Sequence, residues 1–181
     1  MKSRSFFVPL VCCACAIWTA VPAEPDQLSG GKGEDRVGFP KDYSTTFSVL
    51  RTVVREDGAK LVTIYGNGPA ASVTNKTQLP YPFGSVLVME TARTRKNNEG
   101  KPLKDEKGTL QKEAVLGMHV MRKEKDFGKL YGEKRSGEWE FVEYKLDGSF
   151  ITPPQKSAAC AECHIKASSG KDFVYHGRFE D

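Results

Sequence analysis

The sequence is poor in cysteine and has no apolar segment long enough to span a membrane. Three of its five cysteines, Cys12, Cys13 and Cys15, fall within the first 23 residues, so only Cys160 and Cys163 remain beyond them. A small exported domain stabilised by disulfides needs more pairs than these two can form. The apolar run at 6–20 covers about 15 residues, fewer than the roughly 20 of a membrane-spanning helix.

The sequence also lacks a strong charge of one sign. It has 27 lysines and arginines against 23 aspartates and glutamates, and two of the basic residues, Lys2 and Arg4, lie at the extreme N-terminus. Even the charge-rich stretch 123–126 alternates in sign. A nucleic-acid-binding surface needs clustered basic residues, so no nucleic-acid partner is expected.

The first 23 residues have the pattern of a secretory signal peptide. Lys2 and Arg4 provide the positive charge, residues 6–20 the apolar core, and 21–23 a small-residue cleavage site. We therefore predict export to the periplasm and no membrane span after cleavage, the alternatives being a retained anchor or a lipoprotein. Residues 24–38, rich in glycine and charge, are predicted to be a flexible lead, and residues 39–181 a single domain.

The rest of the chain predicts a β-rich α+β fold, an antiparallel sheet with a few short helices. Strands are expected at 47–54 and 61–65, which flank an Asp-Gly hairpin signal, and at 85–92, 112–123 and 138–146. A helical turn is expected from Pro69, an exposed polar excursion at 94–111, a helix at 157–167, and a short strand or tail at 173–175.

The C-terminal helical turn carries the motif Cys160-Ala161-Glu162-Cys163-His164, the signature of c-type haem attachment. Cysteines three residues apart face the same side of a helix, where their thiols can add to two vinyl groups on one porphyrin edge. The adjacent His164 can then ligate the iron. The sequence therefore predicts one covalently attached haem c, held by Cys160 and Cys163, with His164 as the proximal ligand.

Three other interpretations of the two cysteines remain open. They could form a redox disulfide, although no βαβ pattern of the thioredoxin kind surrounds them. They could be half of a zinc site, for which only His119 and His176 would supply further nitrogen ligands. The spacing could also be coincidental.

The sixth iron ligand has several candidates. They are Met89, Met118, Met121, His119 and His176. Met118 and Met121 lie on opposite faces of one predicted strand, so at most one can face a given pocket. A methionine ligand would favour electron transfer, whereas an open distal side would favour binding of a small molecule. These alternatives stay open, and each side chain could also be ordinary core filler.

The order of motifs resembles the cytochrome P-460 family, which includes the cytochrome c′-beta proteins. The matching segments are Phe39 to Tyr43, Tyr65 to Ala71, Pro82 to Val88, Trp139, the haem motif, and Asp172 to Tyr175. The resemblance implies a β-sheet-dominated domain, often a homodimer, with a haem open to small ligands. It implies either hydroxylamine oxidation with a lysine–porphyrin cross-link, or binding of nitric oxide or carbon monoxide beneath an apolar cap. A redox partner cytochrome is a further expectation.

The resemblance also directs attention to the distal side. The family's cross-linking lysine would lie near 86–90, where this chain has none, so Lys96 or Lys101 would have to replace it. Glu90 is a candidate base for a substrate oxidised at nitrogen, or alternatively an outward strand carboxylate. Phe83 and Phe127 are candidates for an apolar distal cap or for the core, and the expected distal pocket comprises Phe83, Met89, His119 and Met121.

Overall fold

The structure is a computed structural model that describes residues 35–55, 58–175 and 179. The predicted signal peptide with Cys12, Cys13 and Cys15, the greater part of the predicted lead, and His176 lie outside the described residues. No helix in the described part of the chain has the length and apolar character needed to cross a membrane.

The domain is built on one six-stranded antiparallel sheet in which each strand pairs only with its sequence neighbours. Its strands are β1 (Ser48–Arg55), β2 (Lys60–Gly66), β3 (Val86–Thr94), β4 (Lys112–Lys123), β5 (Trp139–Tyr144) and β6 (Phe150–Thr152). The prediction of a β-rich α+β fold is confirmed. The runs that form β1 to β5 are rich in valine, isoleucine and aromatic residues, which favour a pleated, half-buried surface.

The helices are short. They are α1 (Tyr43–Thr46), α2 (Gly68–Ala71) and α3 (Ala158–Ile165), with 3₁₀ segments at Lys76–Gln78, Lys129–Lys134, Pro154–Lys156 and Ser169–Lys171. Asn67 caps α2 by accepting a hydrogen bond from the amide of Ala70 at 3.2 Å. Its side chain also donates to the carbonyl of Gly84 and accepts from the amide of Val86. This one residue therefore fixes the end of β2 against the start of β3.

The two faces of the sheet bury different clusters because side chains alternate along each strand. One face packs Leu87, Met121, Trp139 and Phe141 against α2 and α3. The other face packs Tyr65, Val88, Met118, Val120 and Tyr144 with Val37 and Tyr43 from the N-terminal segment. Burying each large apolar side chain contributes about 1.5–3 kcal/mol.

Packing begins earlier than the sequence predicts. Val37 is only 2% exposed, Asp35 accepts a hydrogen bond from Tyr144, and Arg36 forms an ion pair with Glu140. Residues 35–38 are therefore part of the domain and not of a flexible lead.

One C-terminal element differs from expectation, since the short strand β6 was not predicted. Residues 173–175 form a tail without strand pairing, which is one of the two expected alternatives. The excursion at 94–111 is exposed as expected, with only two isolated bridges, Lys96 to Pro102 and Lys104 to Leu110.

Candidate haem site

Helix α3 carries the three residues of the motif. It begins after Ser157, whose carbonyl accepts hydrogen bonds from the amides of Cys160 and Ala161. Cys160 and His164, four residues apart, share one face of the helix and line the same pocket. Cys163 is exposed, and both thiols are free. Burial raises the pKa of the Cys160 thiol, so this sulfur is held as a neutral thiol.

The imidazole of His164 is fixed by a main-chain oxygen. Its Nδ1 lies 2.6 Å from the carbonyl oxygen of Phe173. Because a carbonyl only accepts, Nδ1 carries the proton and Nε2 keeps its lone pair. Burial lowers the pKa of His164 below its ordinary value, outweighing the raising effect of this hydrogen bond. His164 is therefore a neutral imidazole, the form that ligates metals, in a tautomer that leaves Nε2 for the iron.

The carbonyl that holds His164 belongs to an unusual turn. Asp172 and Phe173 both have positive φ angles, 51° and 61°, although neither is glycine. The left-handed region costs an ordinary residue about 1–2 kcal/mol. Trp139 donates from Nε1 to the carbonyl of Asp172 at 2.9 Å, and the amide of Phe173 donates to Ser168. The surrounding contacts thus hold a backbone that the two residues would not adopt alone.

A pocket lies between α3, the C-terminal tail and the sheet. Strand register accounts for its wall: Ile64, Met89 and His119 stand side by side in one row across β2 to β4, and Leu87, Met121 and Phe141 in the next row across β3 to β5. The full lining is Ile64, Leu87, Met89, His119, Val120, Met121, Phe141, Val142, Cys160, His164, Val174 and Tyr175.

One polar pair stands at the edge of this apolar pocket. Nε2 of His119 lies 3.5 Å from a carboxylate oxygen of Glu143, the residue opposite it on β5. The other carboxylate oxygen of Glu143 accepts a hydrogen bond from Thr152 at 3.0 Å. The His119 side chain is 47% exposed, so its ring meets both the pocket and the solvent.

The structure brings together three of the four residues expected in the distal pocket. Met89, His119 and Met121 line the pocket together with His164. Phe83 does not, since it is 53% exposed in the turn before β3. Met118 faces the other side of the sheet, as the alternation requires. Phe127 is buried beneath the guanidinium of Arg36, 4.3 Å from its ring centre, and does not line the pocket.

Glu90, considered as a candidate base or as an outward strand carboxylate, does not line the pocket. Glu90 is 3% exposed on the face opposite the pocket, where it accepts hydrogen bonds from Tyr43 at 2.5 Å and from Lys112. It is not an outward strand carboxylate either. Because Met89 and Glu90 are neighbours on β3, only one of them can face the pocket, and this alternation is the signal in the sequence that separates them.

The lysines considered for a cross-link do not reach the pocket. Lys96 pairs with Pro102 in the excursion, and the ammonium of Lys101 lies 3.2 Å from Glu99. Among the described residues that line the pocket, none is a lysine.

The residues present fit a haem. A helix supplies two free thiols and a neutral histidine at the required spacing, beside a largely apolar pocket. The zinc interpretation has no support in residues 35–55, 58–175 and 179, where no three His, Cys, Asp or Glu side chains group to hold a metal ion. A thioredoxin-like disulfide is also unsupported, because α3 follows an antiparallel strand and not a βαβ unit.

Sequence reasoning missed the residues that enclose His164. The Phe173 carbonyl orients its ring, and the rings of Phe141 and Tyr175 lie 4.5 Å and 5.5 Å from it, centre to centre. A main-chain acceptor leaves no mark in the sequence. The period-two pattern of β5 could have placed Phe141 on the pocket face once the register with Met121 was known.

Comparison with known proteins gives a family match. The sequence model of one family, described as Cytochrome P460, matches residues 40–176, which is most of the chain. The matched range includes every residue that lines the pocket and excludes the predicted signal and lead. None of the curated proteins compared with the sequence matches it.

Proposed function

The chain belongs to the cytochrome P460 family, and from this premise we propose that it is an exported mono-haem c-type cytochrome that binds a small diatomic ligand. The observation that carries the proposal is His164, a neutral imidazole whose Nδ1 is tied to the Phe173 carbonyl and which shares a pocket with almost entirely apolar residues.

The residues of the site have separate roles. Cys160 and Cys163 form the two thioether bonds, and His164 provides Nε2 to the iron. When bound, the haem supplies an iron centre that takes up small ligands and changes its oxidation state. Leu87, Met121 and Phe141 exclude water from the pocket wall, and together with Ile64 they leave little to solvate a charged substrate.

The chemistry of the pocket selects the class of ligand. An ion would lose its hydration among these side chains, whereas an uncharged diatomic such as nitric oxide or carbon monoxide would lose little. His119 is the polar group on the sheet side of the pocket, and its pairing with Glu143 orients the ring. We infer that His119 places a polar ring edge beside the bound ligand at the mouth of the pocket.

A second function, electron transfer through a six-coordinate haem, is favoured by two methionines. Met89 and Met121 line the same pocket as His164. A thioether bound to the iron would raise the reduction potential and close the site to gases. A redox partner cytochrome would then be required.

Oxidation of hydroxylamine is less well supported. The described lining of the pocket offers no lysine for a cross-link, and Glu90 is on the wrong face. The His119–Glu143 pair is the remaining candidate for taking up a substrate proton. Turnover of hydroxylamine together with a lysine-containing haem peptide after digestion would establish the enzyme instead.

The first test is the optical spectrum of protein produced with haem-attachment machinery, recorded with and without dithionite and carbon monoxide. We expect a high-spin ferrous form that binds carbon monoxide. A sharp low-spin spectrum that carbon monoxide leaves unchanged would contradict ligand binding and indicate the electron carrier. A protein without haem would overturn the assignment.

Three leucine variants identify the methionine, if one is bound. Met89→Leu and Met121→Leu alter the pocket, whereas Met118→Leu, on the opposite face, is the matched control. For a ligand-binding cytochrome, all three keep the wild-type coordination. If Met89→Leu or Met121→Leu alone converts a low-spin spectrum into a high-spin one, the substituted methionine ligates the iron. The protein would then be an electron carrier.

A further inference from the structure

A buried ion pair between Lys123 and Asp172 adjoins the residue that holds His164. The Lys123 ammonium and an oxygen of the Asp172 carboxylate are 2.7 Å apart, and both side chains are less than a tenth exposed. Asp172 immediately precedes Phe173, whose carbonyl accepts a hydrogen bond from Nδ1 of His164. We propose that this ion pair is a positioning device that fixes His164 through the Phe173 carbonyl and so sets the strength of the iron–histidine bond.

The contacts of Asp172 anchor its peptide from several directions. Besides Lys123 on β4, the carboxylate accepts a hydrogen bond from the amide of Tyr81 at 3.0 Å. Its main-chain carbonyl accepts from Nε1 of Trp139 on β5 at 2.9 Å. Trp139 is fully buried and its ring also packs edge-on against Tyr81. The turn is therefore fastened to two neighbouring strands and to the loop that precedes β3.

The anchoring determines where the Phe173 carbonyl points. Asp172 and Phe173 both occupy the left-handed region that non-glycine residues avoid. Without the bonds to Lys123, Tyr81 and Trp139, this turn would relax toward ordinary backbone angles. The Phe173 carbonyl would then rotate away from Nδ1, and His164 would lose the partner that fixes its tautomer and ring plane.

The hydrogen bond at Nδ1 governs the ligand strength of Nε2. A well-aligned acceptor makes the imidazole more basic, so that it donates more electron density to the iron. A ferric iron gains more from this donation than a ferrous iron. Weakening the bond to the Phe173 carbonyl is therefore expected to lower the iron–histidine stretching frequency and to raise the reduction potential.

A buried ion pair of purely structural value would behave differently. Glu90 and Lys112 provide the comparison, because Glu90 is as deeply buried as Asp172 but lies on the opposite face of the sheet. Changing Glu90 would alter the stability of the domain without touching the Asp172–Phe173 turn. Substitutions at Glu90 and at Asp172 thus distinguish a loss of domain stability from a change in the iron–histidine bond.

The test compares Asp172→Asn, the double variant Lys123→Met/Asp172→Asn and the control Glu90→Gln, all as haem-loaded protein. Resonance Raman spectroscopy of the ferrous form gives the iron–histidine frequency, and redox titration gives the potential. We expect a lower frequency and a higher potential in both Asp172 variants, and wild-type values in Glu90→Gln. Should Asp172→Asn not fold, Trp139→Phe removes one hydrogen bond to the same turn and is expected to give a smaller shift in the same direction.

The inference rests on the proposed haem function, and the two fail in different ways. If the wild type contains no haem, the proposed function fails. If the wild type loads haem, and the Asp172 and Trp139 variants keep its frequency and potential even where their thermal stability falls, the pair is structural only and this inference is wrong.

Discussion

At the scale of single residues, the site depends on the fixed orientation and protonation state of His164. His164 cannot rotate because the Phe173 carbonyl and the rings of Phe141 and Tyr175 surround it. Its neutral state follows from burial. Cys163, in contrast, is exposed, so its thiol is accessible from solvent.

The two thiols predict a graded loss of covalent attachment. Cys160→Ala and Cys163→Ala each leave one thioether, so haem is expected to stay with the denatured polypeptide in either single variant. The double variant is expected to release all its haem on denaturation, because His164 alone forms no covalent bond to the porphyrin. Haem staining of a denaturing gel provides the measurement. Retention of haem by the double variant would reveal a third covalent bond between protein and porphyrin. That result would favour the hydroxylamine-oxidising enzyme.

At the scale of elements, α3 is held by its neighbours. Eight residues are too few for a stable isolated helix. The fully buried Ala161 packs α3 against the domain core, and Glu162 forms an ion pair with Lys134 at 2.7 Å. The 3₁₀ segment Lys129–Lys134 therefore supports the helix that carries the haem motif.

The glycine before this segment is a sensitive position. Gly128 has φ +80°, and a Cβ there would lie 2.6 Å from the carbonyl oxygen of Gly137. Gly128→Ala combines backbone strain with this collision, and we expect it to lower the free energy of unfolding by about 2–4 kcal/mol. Gly108→Ala is the control, since φ is +79° but nothing lies within 4 Å of the added Cβ. Urea denaturation measures the free energy of unfolding of both variants. Equal losses in the two would show that the contact between the added Cβ and the Gly137 carbonyl is relieved by a local shift.

The elements differ in how far the sequence determines them. The ends of β4 match the prediction because a long run of alternating apolar residues specifies a strand without further context. β6 has only three residues, too few for any period to show, and it forms because β5 offers an edge to pair with. Val37 is buried by tertiary contacts alone.

The residues of the candidate site also differ in how far the sequence determines them. Cys160, Cys163 and His164 could be predicted because the chemistry requires a fixed spacing along the chain. The Phe173 carbonyl and the Lys123–Asp172 pair could not, because they join segments that are distant in sequence and partly use main-chain atoms. The face of Glu90 follows from strand alternation once its neighbour Met89 is assigned to the pocket.

At the scale of the whole molecule, the sheet separates two kinds of interior. The face toward α3 holds the pocket, whereas the opposite face buries polar tyrosines among ionised groups. Tyr43 donates to Glu90, and Tyr144 donates to Asp35. Burial is the main cause that raises the pKa of both phenols, and the neighbouring carboxylates raise it further.

These tyrosines predict alkaline unfolding. Burial also raises the pKa of Tyr131 from 10.0 to about 12. A group with a raised folded-state pKa contributes its full stability below the unfolded pKa and loses it as pH rises toward the folded value. Above pH 10 each of Tyr43, Tyr131 and Tyr144 should lower the free energy of unfolding by about 1.4 kcal/mol per pH unit.

Urea denaturation at a series of alkaline pH values, together with tyrosinate absorbance, checks this prediction. Tyr131→Phe removes one titrating group and should flatten the fall between pH 10 and 12. If the variant declines as steeply as the wild type, Tyr131 does not contribute to the pH dependence.

The order of strands along the chain has a consequence for biosynthesis. Every strand pairs with its sequence neighbour, and α3 follows the last of them. Chains are made from the N-terminus, and segments with local contacts can fold as they emerge. The sheet wall of the pocket can therefore form from local pairings that do not involve α3. The surface against which a haem would lie does not depend on prior folding of the helix that bears the two cysteines.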